Sequence, residues 1–180
     1  DFMCSAFSPE GVEFIDDYVG IHKIASNEAA CLPIVEAVKA TKKPYIVSCG
    51  CLLDHEIEEI YKGDRGCVLM CCVSEYPAKP EDYSKTLEFV SFWVSQGFKF
   101  FGVSDHLGPN NAFDLSGLFY EFHFDAFPEL GETPDAPVSK GIEMASKITR
   151  AVPNNPIRQI NTTHKRIGSY RPIPNGFHTS

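Results

Sequence analysis

The strongest constraint on the fold of this chain is an alternation of short apolar runs with helical patterns. The runs are rich in β-forming residues and mostly continuous, as expected for strands covered on both faces. They are FMCSAF (2–7), GIHKIAS (20–26), PYIVSCG (44–50), CVLMCCVS (67–74), FKFFGVSDH (98–106) and LFYEFHF (118–124). Strand and helix patterns alternate at roughly 20 to 30 residues per unit, which is the rhythm of βα crossovers. The sequence therefore predicts an α/β protein with a parallel sheet.

The helical patterns between the runs have recognisable starts and stops. Ser8 followed by Pro9 predicts an N-cap and the first position of a helix. Pro33 is predicted to open a second helix and Asp54 to cap a third. A fourth helix is predicted to end at Gly97, because glycine readily takes the left-handed conformation that closes a helix.

Six strands are visible, whereas a TIM (β/α)8 barrel needs eight. We therefore predict a TIM (β/α)8-type barrel that is incomplete, with six of eight strands in this chain, and we expect sequence upstream of Asp1 to supply two more. A last helical pattern begins after Ser139, so the barrel portion is predicted to span 1–152. Residues 153–180 have no period and contain four prolines, and their charged residues are all basic, which predicts an irregular basic tail.

Composition narrows the class of protein. The 180 residues are 43% hydrophobic and 22% charged, which is typical of one soluble globular domain. The formal net charge of −8 argues against a nucleic-acid-binding surface. The chain has no apolar run near the roughly 20 residues of a membrane-spanning helix and no charged signal-peptide region, so a cytoplasmic protein with no membrane partner is expected.

The seven cysteines are predicted to be reduced thiols and mostly buried. Their number is odd, no secretory signal accompanies them, and most lie in or beside strand-like runs. A zinc site is less favoured, because Cys49-x-Cys51 and Cys71-Cys72 lack the paired spacing of zinc ligands.

Polar residues gather where the predicted strands end. They are Ser26 and Glu28 after the second run, Ser48 after the third, Ser74 to Tyr76 after the fourth, Ser104, Asp105 and His106 after the fifth, and Glu121 and His123 in the sixth. In a parallel barrel all carboxyl ends of the strands face one mouth, so these residues are expected to become neighbours.

His106 and His123 are candidate ligands of a divalent metal. They come from adjacent predicted strands, and neutral imidazoles are common ligands of such ions. Two histidines leave coordination positions open for water and substrate, which suits a catalytic metal. The alternative is that each is a hydrogen-bonded core histidine. For both at one edge, beside Asp105 and Glu121, the metal is the better interpretation.

Lys23 lies inside an apolar strand, where a buried ammonium is costly without a partner. That partner is either an anionic ligand in the barrel or a carboxylate such as Glu28, and the pattern favours neither. Ser26, Ser48 and the backbone amides near Gly50 are candidate phosphate contacts, although serine at a turn is more often only a cap.

Six phrases in this order resemble one family of enzymes. They are KIASNE (23–28), KPYIVSCG (43–50), CCVSEYPAKPED (71–82), GVSDH (102–106), EFHF (121–124) and PDAPVS (134–139). The chain resembles the N-acetylneuraminate (sialic acid) synthases and their legionaminate and pseudaminate synthase relatives over roughly residues 1–150. The resemblance implies a barrel whose third to eighth strands are present here.

The resemblance also implies a reaction and its cofactor. Such enzymes condense phosphoenolpyruvate with an N-acylated amino sugar, usually N-acetylmannosamine, to give a nine-carbon 2-keto sugar acid and phosphate. Mn²⁺ or Mg²⁺ polarises the aldehyde of the open-chain sugar as a Lewis acid. A homodimer, or a complementing chain that supplies the missing strands, is the expected assembly.

Site residues follow from the same motifs by resemblance. His106 and His123 would hold the metal, and Lys23, Ser26, Ser48 and Ser104 would contact phosphoenolpyruvate. Glu28 would act beside the reacting carbons, and Lys23 would be the other catalytic residue. Tyr76 and Asp135 would contact the sugar.

The chain departs from the family within or beside four of these motifs. The family usually has Ser-Thr-Gly where Ser48-Cys49-Gly50 stands here, and asparagine is common after KIAS-x-E, where this chain has Ala29, Ala30 and Cys31. The family usually has histidine at Cys71, so an imidazole is expected to be missing from the site, and a basic residue usually stands at Phe122. An alternative function is therefore a catalytically impaired scaffold, or a sugar-binding or assembly module derived from such a synthase. A phosphoenolpyruvate aldol-type synthase acting on a sugar phosphate is a third option, which the acidic composition disfavours.

Overall fold

A computed structural model describes residues 2–109, 119–124 and 136–140. Five strands form one sheet, in which every neighbouring pair is parallel and the spatial order is the chain order. The strands are β1 (His22–Ile24), β2 (Tyr45–Ser48), β3 (Val68–Cys72), β4 (Phe100–Asp105) and β5 (Phe119–Phe122). The predicted α/β class and parallel sheet are confirmed, and the architecture is an incomplete barrel.

Four helices precede or connect these strands, together with a short 3₁₀ helix, Pro80–Tyr83. They are α1 (Pro9–Asp16), α2 (Leu32–Ala40), α3 (Asp54–Tyr61) and α4 (Thr86–Ser95). The predicted cap of α1 is confirmed, because the Gly11 N–H donates to Ser8 Oγ over 3.1 Å. The predicted end of α4 is also confirmed, since Gly97 has a φ of +91°. None of the helices in the described ranges has the length and apolar character needed to cross a bilayer.

The strands are apolar on both faces because each face is covered. Outward-facing residues such as Val47, Leu69 and Phe101 pack in the main core with Val35 of α2 and Trp93 of α4. The residues that alternate with them point into the barrel, where Ile46, Val68, Met70 and Phe119 form a second apolar cluster. The apolar inner layer ends before the carboxyl ends of the strands, where polar side chains replace it.

Two sequence predictions about element boundaries are wrong. The run 2–7 forms no strand and makes only a single parallel bridge, between Ser5 and Lys23 of β1. The cap of α3 is Leu53 rather than Asp54, which is the first helical residue. Leu53 succeeds there without a polar side chain, since its N–H donates to Glu56 Oε2 over 2.8 Å. The described residues thus contain five of the six predicted strands.

The seven cysteines lie between residues 4 and 72 and all are free thiols, as predicted. Cys49 and Cys67 are buried, Cys31 and Cys51 are exposed, and the others are half-buried, so the prediction that the thiols are mostly buried is wrong. The helix predicted after Ser139 and the tail 153–180 lie outside the described residues, apart from Ser139 and Lys140 themselves.

Candidate functional site

The carboxyl ends of the strands surround a cavity of about 560 Å³. This convergence follows from the parallel topology, because every strand ends at the same rim of the barrel. Most of the residues predicted for the site line the cavity, namely Lys23, Ser26, Ser48, Tyr76, His106 and His123.

A row of polar side chains begins at the cavity wall with Lys23 and Ser48 and continues beneath it to Ser104, which does not itself line the cavity. Lys23 Nζ donates to Ser48 Oγ over 2.8 Å, and Ser48 Oγ lies 3.0 Å from Ser104 Oγ. Ser48 and Ser104 are nearly inaccessible to solvent, and Lys23 is buried as well. Ammonium and hydroxyl groups are all donors, so the row is suited to oxygens of an anion.

Lys23 also has a carboxylate partner. Its Nζ lies 3.5 Å from Glu121 Oε2, and Glu121 itself remains about one-third exposed at the cavity wall. The sequence left open whether Lys23 pairs with an anionic ligand or with a carboxylate such as Glu28. The structure provides a carboxylate, which is Glu121. The ion pair offsets the cost of burying the ammonium, and it leaves the Ser48 and Ser104 hydroxyls beside the same charge.

The imidazole of His106 is held in one tautomer. Its Nδ1 hydrogen-bonds the carbonyl oxygen of Val73, which can only accept, so Nδ1 carries the proton. Nε2 is consequently unprotonated, and its lone pair accepts a hydrogen bond from the Tyr76 hydroxyl over 2.8 Å. The Tyr76 ring stacks on His106 with 4.0 Å between ring centroids. Burial lowers the pKa of His106, and the adjacent His123 ring acts in the same direction, so the neutral form is favoured.

The two candidate metal ligands are neighbours. The ring centroids of His106 and His123 lie 5.1 Å apart, and both rings line the cavity. Among the described residues, no group of three or more histidine, cysteine, aspartate or glutamate side chains is arranged to hold a metal ion. A cation at this point would be held by the two imidazoles, with its other positions left to water or substrate.

Two predicted residues are not brought into this arrangement. Glu28 does not line the cavity, and its Oε2 atom is buried without a hydrogen-bond partner among the described residues. Asp135 lies outside the described residues. Ser26 lines the cavity, and its Oγ accepts a hydrogen bond from the Cys51 N–H over 2.8 Å. This bond connects the segment after β1 to the turn after β2.

The departures from the family at Cys71 and Phe122 lie outside the cavity. Cys71 packs outward against a cluster that includes Val103 and Leu107, and its Sγ lies 3.6 Å from Thr86 Oγ1. Phe122 packs beside Tyr120, on the side of β5 opposite Glu121. The expectation that Cys71 removes an imidazole from the site is therefore wrong, because residue 71 points away from it.

Sequence reasoning assigned no role to several cavity residues, which include Asn27, Cys72 and the segment 3–5, whereas Ser74 lines the cavity as its strand-end position predicts. Cys72 was detectable by alternation, since it follows Met70 by two residues on the inward face of β3. Its Sγ lies 3.9 Å from His106 Nδ1, and burial raises the pKa of Cys72 to about 12, which keeps it a thiol. The segment 3–5 offered no signal beyond its apolar character.

Gly50 is required by close packing at the rim of the cavity. A Cβ atom at this position would lie 2.9 Å from the carbonyl oxygen of Cys72 and 2.7 Å from Ser74 Oγ. The turn after β2 therefore approaches the end of β3 more closely than any larger residue allows.

Comparison with known proteins gives consistent matches. The chain matches the NeuB family over residues 1–156. It is 32% identical over 158 residues to pseudaminic acid synthase from Helicobacter pylori, covering 82% of this chain and 46% of that protein. It is 36% identical over 133 residues to pseudaminic acid synthase from Campylobacter jejuni serotype O:2, covering 67% and 37% respectively. The chain thus spans about half the length, or less, of these curated relatives.

A solved structure shares the fold. The N-acetylneuraminic acid (sialic acid) synthetase from Leptospira borgpetersenii superposes with a TM-score of 0.70 at 23% identity. The match covers 94% of this chain and 60% of that one, and at this identity it shows a shared fold.

Proposed function

Because the chain belongs to the NeuB family, we propose that the protein of which it forms part condenses phosphoenolpyruvate with an N-acylated amino sugar. A new bond joins C3 of the enolpyruvate to the aldehyde carbon of the sugar, whose oxygen becomes a hydroxyl. One water adds at C2, the C–O bond to the phosphoryl group breaks, and phosphate leaves. The products are a nine-carbon 2-keto sugar acid and phosphate.

The proposal is carried by one juxtaposition, the donor row of Lys23, Ser48 and Ser104 beside a pair of imidazoles. An enol phosphate brings several anionic oxygens, which the ammonium and the two hydroxyls are suited to bind. Lys23, Ser48 and Ser104 have low exposure, which would keep water from a bound anion and would strengthen its contacts with the donors that it reaches. Lys23 is assigned to binding and to balancing the charge of the leaving phosphate.

The imidazoles fit a divalent cation, for which Mn²⁺ or Mg²⁺ is proposed. Nε2 of His106 is directed at the cavity as an unprotonated nitrogen, because Val73 holds the proton on Nδ1. When bound, the cation would supply Lewis-acid polarisation of the sugar aldehyde. His106 and His123 would be its protein ligands, and Tyr76, half-exposed at the rim, is proposed to contact the sugar.

The remaining assignments stay predictions. Glu28 is proposed to act near the reacting carbons and Asp135 to contact the sugar, in both cases by resemblance to the family. The same holds for a cytoplasmic location and for a homodimer or complementing chain that completes the barrel.

The reaction can be tested on the full-length protein with phosphoenolpyruvate, Mn²⁺ and N-acetylmannosamine or another N-acylated amino sugar. We expect phosphate release together with a nine-carbon keto acid, detected by mass spectrometry. Lys23→Met should lower kcat/KM by about 10²- to 10³-fold, as for loss of one donor to the reacting anion. The matched control Lys62→Met removes a lysine that is exposed on the surface, and it should leave turnover unchanged.

The products of this assay distinguish the synthase from the sugar-binding module. If neither phosphate nor keto acid forms with any of these sugars, the synthase proposal is wrong. Binding of an N-acylated amino sugar without turnover, measured by calorimetry, would instead favour the sugar-binding module. The outward direction of Cys71 and Phe122 weakens the original reason for that alternative.

Tyr76 competes with a cation for the same lone pair, because its hydroxyl donates to His106 Nε2. Tyr76→Phe should therefore tighten Mn²⁺ binding by roughly 2- to 10-fold, which corresponds to the net worth of one hydrogen bond. Calorimetric titration of Mn²⁺ measures this effect. Tyr18→Phe, at an exposed tyrosine after α1, is the control and should change nothing. Unchanged or weaker Mn²⁺ binding in the Tyr76 variant would contradict the competition.

A further inference from the structure

Lys140 lies behind the two histidines, on the outer side of the strands that bear them. Its side chain is completely buried, with 0% of its surface exposed, although it carries an ammonium group. Burying an ammonium group costs free energy, so the groups that bind it indicate which part of the structure it stabilises.

The backbone of Lys140 is bonded to His123. The Lys140 N–H donates to the His123 carbonyl oxygen over 2.8 Å, beside a parallel bridge between Phe124 and Lys140. This contact extends the sheet by one short step beyond β5, and it fixes the backbone from which the His123 ring projects.

The side chain of Lys140 is bonded to both sides of His106. Nζ donates to the carbonyl oxygens of Leu107, over 2.8 Å, and Gly108, over 3.1 Å, which follow His106 in the chain. It also lies 3.2 Å from Oδ2 of Asp105, which precedes His106. One residue thus contacts the backbone of His123 and the residues before and after His106.

The Asp105 end of this arrangement is fixed as well. Asp105 is 0% exposed, its Oδ1 accepts from the Leu107 N–H over 2.7 Å, and its Oδ2 accepts from the Tyr120 hydroxyl of β5. Tyr83 holds the same stretch from another side, since its hydroxyl accepts from the His106 N–H and donates to the Ser104 carbonyl. The Lys140 ammonium is therefore held by oxygens at a position that solvent does not reach.

We propose that Lys140 is a positioning residue that sets the spacing of the His106 and His123 imidazoles. The role in metal binding rests on the function proposed above, but the spacing itself does not. An apolar residue of equal volume would fill the space behind β4 and β5 without joining the two histidine-bearing ends. The ammonium joins them through contacts on both sides of His106, while the backbone of the same residue holds His123.

The test replaces Lys140 by methionine in the full-length protein, which keeps the volume and removes the ammonium. Two readouts are compared with the parent protein, the separation of the His106 and His123 rings in metal-free crystals and the Kd for Mn²⁺ alone by calorimetry. The matched control is Lys39→Met, at a lysine whose Nζ also donates to a backbone carbonyl, that of Ile60, but away from the cavity.

Lys140→Met should change the ring separation and weaken Mn²⁺ binding by about 10- to 100-fold, the usual effect of losing a residue that orients a metal ligand. Lys39→Met should lower only the melting temperature. If Lys140→Met leaves Asp105 as an unpaired buried charge and does not fold, the double variant Asp105→Asn/Lys140→Met removes that charge. The same two readouts then apply to the double variant.

The outcomes separate this inference from the proposed function. An unchanged ring separation and unchanged Mn²⁺ affinity in the folded variant would overturn the positioning role. If the parent protein does not bind Mn²⁺, the proposed metal function fails, whereas the ring separation still decides the role of Lys140. A changed separation in Lys140→Met but not in Lys39→Met supports it.

Discussion

Replacing His106 and His123 together with alanine should abolish Mn²⁺ binding and turnover. The two rings lie 5.1 Å apart on one cavity and are the candidate protein ligands of the cation. Lewis-acid polarisation contributes several kcal/mol to a transition state, so its loss should reduce kcat by about 10³-fold or more. The Kd for Mn²⁺ should rise by at least roughly 100-fold, since no other protein ligand is proposed.

Calorimetric Mn²⁺ titration and phosphate release on the full-length protein measure both effects. Each single variant should lose most of the affinity, because one remaining imidazole holds the cation weakly. The control His55→Ala removes an exposed imidazole of α3 and should leave affinity and turnover intact. If the double variant retained the parent affinity for Mn²⁺, the assignment of these residues as metal ligands would be wrong.

Gly102→Ala should destabilise the fold by about 1–3 kcal/mol or more. A Cβ atom at Gly102 would lie 2.6 Å from the Phe119 carbonyl oxygen and 2.7 Å from Phe119 Cβ, and it would overlap Met70 Sδ. Met70 can rotate, but the Phe119 contact involves backbone of the adjacent strand. The added methyl must therefore push β4 and β5 apart, where they pair Gly102 with Phe119.

The free energy of unfolding from urea titration tests this expectation. Gly63→Ala is the matched control, because a Cβ there meets nothing within 4 Å. It should be neutral or slightly stabilising, as for a glycine replaced where space allows. Equal stability of the Gly102 and Gly63 variants would show that the strands accommodate the methyl without separating.

Much of the site was predictable, because short stretches of sequence show both where a strand ends and how its side chains alternate between the two faces of the sheet. Lys23 and Ser48 lie within apolar runs and His106 ends one, and parallel strands bring the carboxyl ends of such runs to one rim. The alternation along β4 also assigns Ser104 and His106 to the same face and Asp105 to the other. Applied at Cys71 and Phe122, the same alternation would have shown that neither departure faces the cavity.

Other features depended on contacts between distant segments. The run 2–7 has strand composition, yet it makes only one bridge to β1, at Ser5, because strand propensity does not by itself produce a ladder. Glu28 belongs to a conspicuous motif but does not line the cavity, since the turn after β1 directs it elsewhere.

By itself, the sequence determined the class of the fold, the order of strands and helices, and the rim at which the chemistry gathers. These follow from hydrophobic period, caps and turn residues, all of which act over a few neighbouring residues. Tertiary structure alone decided that Glu121 is the partner of Lys23, that Tyr76 occupies the lone pair of His106, and that Lys140 lies behind both histidines. The Tyr76–His106 and Lys140–Leu107 contacts join residues that are 30 and 33 positions apart. Local sequence patterns do not show which distant residues come into contact.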